Sequence, residues 1–171
     1  MKVWIVRHAS AVPAVEDPVR PLSTEGRETC RRLVRFFRAN GLLGGATLVW
    51  HSPLARARET ATVLRDGLAP DALLVETGGL LPDDAPFPVA ERLERQEDDV
   101  VIVGHEPQLG ALATLLVRGK PKPVAFALEK ASVVALEPAP GRHKKTDRRR
   151  WRVCWHFSPE LLSPAGTRAE T

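Results

Sequence analysis

Two histidines stand at matching places in this chain. The apolar run VWIV ends in Arg7-His8, and a later run, VVIV, ends in Gly104-His105. Neither run alternates with polar residues, which is the pattern of strands buried on both faces of a mainly parallel sheet. Ligands of such sheets bind at the carboxyl ends of the strands, so both imidazoles are expected at one crevice. A third run ends at Trp50-His51 and leads into Ser52-Pro53. Here Ser52 is expected as a helix N-cap and Pro53 at the first helical position, where its missing N–H costs nothing. Arg56 then lies about one turn into that helix. Unpaired N–H groups and the positive dipole end, together with Arg7 and Arg56, describe a pocket for a multiply charged anion. Guanidinium forks suit the oxygens of a phosphoryl group. A phosphoryl group held by two arginines between two imidazoles invites attack on phosphorus by one imidazole. The attacking ring must be neutral, and cationic neighbours favour that form.

The other histidines carry less. His51 either orients the pocket or packs and caps the helix that follows it, whereas His143 in a charged loop and His156 in a terminal strand read as incidental. Zinc is disfavoured: no pair of residues has H-x-x-x-H or C-x-x-C spacing, and two arginines beside the histidines would repel a cation. Cys30 and Cys154 are far apart and read as two reduced, buried thiols.

Strands at 2–6, 47–50, 100–103 and 132–136 must position these groups. Between them lie helical patterns. Cys30, Leu33, Val34 and Phe37 recur at i, i+3, i+4, i+7, as do Leu109, Leu112, Ala113 and Leu116. Residues 80–88 read as a turn-rich connection and 89–96 as a short helix. Residues 132–136 and 152–157 are expected to form a terminal hairpin around a solvated basic loop, about 138–151. The segment 163–171 reads as a frayed tail. Strands alternating with helices give an α/β layered domain. At 171 residues, with 43% hydrophobic and 27% charged, the chain suits one folded unit. The net charge of +4 is local: residues 142–152 hold seven Lys or Arg and one Asp, which leaves −2 elsewhere. The four-residue apolar run before Arg7 is too short for a signal or membrane segment, so a cytoplasmic protein is expected.

Four ordered motifs carry a resemblance. Arg7-His8 after a strand, P-L-S-x-x-G from Pro21 to Gly26, S-P-L-x-R-A-x-x-T-A from Ser52 to Ala61, and V-G-H-x-P-x-L from Val103 to Leu109 together resemble the histidine phosphatase superfamily. The family's R-H-G is Arg7-His8-Ala9 here, tolerable where the backbone does not require positive φ. The short chain and the run V-R-P-L-S from Val19 look most like the SixA branch, the phosphohistidine phosphatases. The resemblance implies a phosphoglycerate mutase-like fold, three layers α/β/α around a mainly parallel sheet, as a single domain over residues 1–162. It implies His8 as the nucleophile, with Arg7, Arg56 and His105 on the phosphoryl oxygens, and no metal or other cofactor. Arg20, in V-R-P-L, matches a further phosphate-side arginine of the branch, and Ser52 is expected with it on the substrate-binding side of the pocket.

Cleavage of a phosphate ester needs an acid for the leaving oxygen, which other branches take from the segment after the third strand. Here that segment offers Asp83 and Asp84 in a P-D-D-A-P turn, with Glu76 further back. Paired exposed aspartates are commonly turn formers, and a phosphohistidine substrate needs no dedicated acid. The expected activity is therefore a metal-independent phosphatase acting through a phosphohistidine intermediate on a phosphorylated protein. Its alternative is a small-molecule O-phosphomonoesterase. A mutase fits less well, because little inserted sequence exists to enclose a diphosphorylated intermediate. Phosphate or sulfate is expected in the pocket. A reading of another class is a polyanion or nucleic-acid binding module using the 142–152 run, against the plainer reading of a solvated loop.

Overall fold

The chain is described from a computed structural model over residues 1–162; the expected tail at 163–171 lies outside the described residues. Six strands form one sheet in the order β3-β2-β4-β1-β5-β6. They are β1 (Val3–Arg7), β2 (Leu48–His51), β3 (Leu73–Glu76), β4 (Val100–Gly104), β5 (Val133–Arg142) and β6 (Arg149–Phe157). The first four in space run parallel, β5 is antiparallel to β1, and β6 is antiparallel to β5. Helices α1 (Thr24–Ala39), α2 (Ala55–Leu68), α3 (Phe87–Glu94) and α4 (Gln108–Arg118) cover the faces.

Successive side chains of a strand point to opposite faces, so an apolar strand feeds two cores. Trp4, Val6, Val101 and Val103 pack with Cys30, Leu33 and Phe37 of α1 and with Ala57, Ala61 and Leu64 of α2. Val3, Ile5, Val100 and Ile102 face the other way, onto Leu93 of α3 and Leu109, Leu112 and Leu116 of α4. This is the three-layer α/β/α arrangement, and it accounts for the absence of polar alternation in VWIV and VVIV. Among the described residues no helix is long and apolar enough to cross a membrane.

Several expectations need correction. Helix α2 starts at Ala55, and its N-cap is Leu54, which makes no side-chain cap; Ser52 precedes the helix and has another partner, described below. The edge strand β3 lacks a sequence signal because its pattern LLVE leaves Leu73 exposed and ends in a turn. The hairpin is longer than expected: β5 and β6 continue through most of 138–151, leaving only residues 143–148 as the tip. Cys30 is buried, but Cys154 is exposed on β6 rather than buried.

One glycine of the P-L-S-x-x-G motif has a clear physical duty. Gly26 sits in the first turn of α1, where the hydroxyl of the N-cap Ser23 accepts its N–H at 3.0 Å. A Cβ there would lie 2.0 Å from the carbonyl oxygen of Ser10. The backbone two residues beyond His8 therefore rests directly on α1, a contact that any side chain would break. Gly26→Ala is expected to destabilise the fold by roughly 3 kcal/mol, near the upper end of ordinary overpacking, because the clash is with main chain. A denaturant midpoint equal to wild type would contradict this packing.

Candidate active site

The parallel register pairs Arg7 with Gly104, so the next residues on the two strands, His8 and His105, emerge side by side. Their ring centroids are 4.9 Å apart. The crossing is fixed by main chain, since the His8 N–H donates to the Gly104 carbonyl at 3.1 Å. Both rings are buried, at 8% and 2% exposure.

Each ring has a defined setting. His8 Nδ1 lies 2.7 Å from the Ala9 carbonyl, and only a protonated Nδ1 can bond there. Nε2 then carries the lone pair, towards which Arg56 Nε donates at 3.3 Å. His105 Nε2 shares a 2.9 Å hydrogen bond with Ser52 Oγ, while its Nδ1 is buried with no protein partner. Arg7 donates from Nη1 to the Leu128 carbonyl at 2.8 Å, and its buried Nε likewise has no protein partner. Burial, followed by the charges of Arg56, Arg7 and Lys130, lowers His8 to about 4 against the opposing Ala9 bond. Burial also leads at His105, lowered to about 3, followed by His8, Arg56, Arg7 and Arg20. The expected neutral imidazole is thus present, but desolvation is its main cause and cationic neighbours come second.

The motif residues around this pair are braces. The Thr60 hydroxyl accepts the Ala9 N–H at 3.1 Å and donates to the Arg56 carbonyl at 2.7 Å, tying α2 to the segment after His8. Ala9 keeps its φ outside the left-handed region, so Ala stands where the family has Gly without strain. Glu59 accepts the Leu22 N–H at 3.1 Å and pairs with Arg27 at 2.7 Å. Arg20 has a φ of 53°, and its Nε reaches the Val12 carbonyl at 3.4 Å. Its charge is felt at both Arg56 and His105. His51 donates from Nδ1 to the Ser52 carbonyl at 2.9 Å, beside the serine that holds His105.

Asp83 and Asp84 are not brought into this cluster. Asp84 accepts the Leu81 N–H at 2.8 Å, a turn bond, and Asp83 is exposed. Glu76 is also exposed, in register with His51 on β2. Two groups without a sequence signal do serve the site. Leu128, in the irregular segment 120–131, offers its carbonyl to Arg7 and its N–H to Glu106 Oε1 at 2.9 Å. Burial raises the Glu106 carboxyl, with the Leu128 and Gly110 N–H bonds opposing. Lys130 adds positive charge near His8.

Comparison with known proteins shows the family. The model of the Histidine phosphatase superfamily (branch 1) matches residues 3–77. An uncharacterized protein of Picosynechococcus sp. is 31% identical over 150 residues, covering 83% of this chain and 88% of that one. The chain belongs to the histidine phosphatase superfamily. It is SixA-like: the phosphohistidine phosphatase SixA of Escherichia coli is 29% identical over 174 residues, covering 96% of this chain and 98% of that one. The solved structure of a protein histidine phosphatase SixA complexed with tungstate shares the fold, with a TM-score of 0.78 at 23% identity over 95% of this chain and 100% of that one. This histidine phosphatase is accordingly an enzyme of the phosphate-hydrolysing class.

The lowered imidazoles make this phosphatase sensitive to acid. Unfolded histidines titrate near 6.5, so between that value and about 4 and 3 the unfolded chain binds protons that the folded sites refuse. The histidine contribution to stability is intact above pH 6.5 and is lost as pH falls through that window. Wild-type melting temperature is expected to drop more between pH 7 and pH 5 than that of the His8→Asn/His105→Asn double variant. Parallel drops would mean that the rings protonate freely in the folded state.

Proposed function

We propose that this enzyme is a protein phosphohistidine phosphatase in which His8 carries the phosphoryl group between two displacement steps. The observation that carries the proposal is the setting of His8. Its ring is neutral, Nδ1 is engaged by Ala9, and the Nε2 lone pair faces the guanidinium of Arg56. In the first step His8 Nε2 attacks phosphorus. The phosphorus–nitrogen bond of the substrate breaks, and the departing imidazole takes a proton from solvent. Water then attacks the phosphorylated His8, orthophosphate leaves and Nε2 regains its lone pair.

Arg7, Arg56 and His105 hold the phosphoryl oxygens through both steps, with Arg20 as a further charge at the rim. Arg7 Nε and His105 Nδ1 are two buried polar atoms of this cluster without protein partners, and both suit oxygens of the transferred group. Ser52 acts through its bond to His105. The work of the site is positioning and charge stabilisation, as is general for phosphoryl transfer.

The character of the leaving group supports a phosphohistidine substrate over a phosphate ester. An alkoxide needs a proton from a placed acid, whereas an imidazole with a pKa near 6.5 finds one in water. Among the described residues no carboxylate bonds to Arg7, His8, Arg56 or His105; Asp84 serves its turn, and Glu106 is committed to main-chain N–H groups. The similarity to SixA over nearly the whole chain points the same way.

Turnover of a phosphohistidine peptide and of an aryl phosphate, measured side by side, tests this reading. The peptide is expected to be favoured in kcat/KM by roughly 10²-fold, and His8→Ala to cost roughly 10³-fold or more on both with circular dichroism unchanged. Asp83→Asn and Asp84→Asn are expected to leave both rates within about twofold. Substantial peptide turnover by His8→Ala would overturn the mechanism. Selective loss of aryl phosphate turnover in either aspartate variant would favour the small-molecule phosphomonoesterase.

A further inference from the structure

The basic run 142–152 divides into two sets of charges with different surroundings. Arg142 pairs with Glu94 and Asp147, Arg148 with Glu91, Arg149 with Glu97, and Arg152 with Glu137. These arginines fasten the hairpin to the end of α3 and across to β5, and their charge is spent internally. Lys144, Lys145 and Arg150 have no acidic partner among the described residues, and neither do Arg118 and Lys120 at the end of α4.

These five unpaired cations surround two adjoining hollows. One, of about 430 Å³, is lined by Arg118, Lys120, His143, Lys144 and Lys145, with Gly119 and Thr146. The other, of about 380 Å³, shares Arg118, His143 and Lys144 and adds Arg142 and Arg150. No carboxylate lines either one. A hollow of this volume is roughly 10 Å across, near the Debye length at physiological salt, so the cations feel one another.

The walls are built rather than incidental. His143 Nε2 donates to the Leu116 carbonyl at 3.1 Å, and the carbonyl of His143 accepts the N–H groups of Thr146 and Asp147 at 3.2 and 2.8 Å. Its ring packs onto Gly119, which caps α4 at φ 76°; a Cβ there would lie 2.8 Å from the ring. The hairpin tip is therefore docked on the end of α4. This place is remote from His8. Helix α4 begins just after His105 and runs 11 residues, about 16 Å, away from it, while β5 leaves Val133 beside Val6 and travels in the same direction.

We propose that these hollows form a second anion site, which takes a compact oligophosphate through its phosphoryl oxygens. The surroundings select against larger polyanions. The carboxylates of Glu91, Glu94, Glu97 and Glu137 neutralise the neighbouring arginines of the same hairpin, so an extended phosphate backbone would run from unpaired cations onto ion pairs with no net charge to offer it. Trp151, the one aromatic residue of the basic run, is 3% exposed and offers no face on which a base could stack. Recognition therefore stops at the phosphates.

Calorimetric titration with inorganic tripolyphosphate at low and physiological salt tests the site. Wild type is expected to bind, and Lys120→Ser/Lys144→Ser/Lys145→Ser to bind at least tenfold more weakly. In that variant, competitive inhibition of aryl phosphate turnover by tripolyphosphate is expected to be unchanged, which separates this site from the catalytic mouth. Removing as much charge from α1, in Arg31→Ser/Arg35→Ser/Arg38→Ser, is expected to leave binding intact. ATP is expected to bind within threefold of tripolyphosphate. Equal losses in the two triple variants, or no loss in the first, would overturn the proposal. So would a preference above tenfold for ATP, or tighter binding of a short DNA duplex than of tripolyphosphate at physiological salt.

Discussion

Two buried imidazoles and two half-buried guanidiniums meet at one mouth, and none of the four has a carboxylate partner among the described residues. Burying like charges without counter-charge is costly. Arginine cannot relieve that cost by losing its proton, so the imidazoles do. The consequence is chemical as well as energetic: a neutral His8, with Nδ1 tied to a carbonyl, presents a lone pair at Nε2. The two remaining positive charges are balanced best by a dianionic phosphoryl group. Burial first and the neighbouring charges second thus keep the rings neutral, the Ala9 carbonyl sets the His8 tautomer, and the remaining charge suits an anionic ligand.

The fold meets this constraint through main-chain geometry. Parallel pairing of β1 with β4 sets the two histidines side by side, and β2 delivers Ser52 to His105. Gly26 lets α1 support the backbone just beyond His8, and Thr60 joins that backbone to the turn carrying Arg56. Leu128 is held from both sides, its carbonyl by Arg7 and its N–H by Glu106. These contacts hold the charged groups in place without themselves adding charge at the reacting atom.

Much of this was legible in the sequence, and the parts that were not share a physical reason. Strand ends VWIV-R-H and VVIV-G-H carry their meaning locally, because a doubly buried strand must be apolar throughout and the residue at its end must face the mouth. The brace made by Leu128 lies 121 residues from Arg7 and uses a main-chain carbonyl, which every residue type possesses. The sequence places Ser52 at the pocket but points to a helix N-cap rather than to His105, since an N-cap serine and a serine bonded to histidine have the same neighbours in sequence. Cys154 differs from Cys30 because it falls on the edge strand β6 at the point where the pairing with β5 shifts register, between Val153 and Trp155. The basic run read as one patch, and only the approach of Glu91, Glu94 and Glu97 across the chain divides it.

The central claim is that His8, through Nε2, holds the phosphoryl group in transit. Trapping the phosphorylated enzyme under alkaline quench, with peptide mapping and phosphorus NMR, tests it most directly. A single base-stable, acid-labile phosphate on His8 Nε2, absent from His8→Ala, is the expected result. Phosphate found on His105 or His51 during turnover, or rapid turnover of substrate by His8→Ala with no phosphate on any histidine, would contradict it.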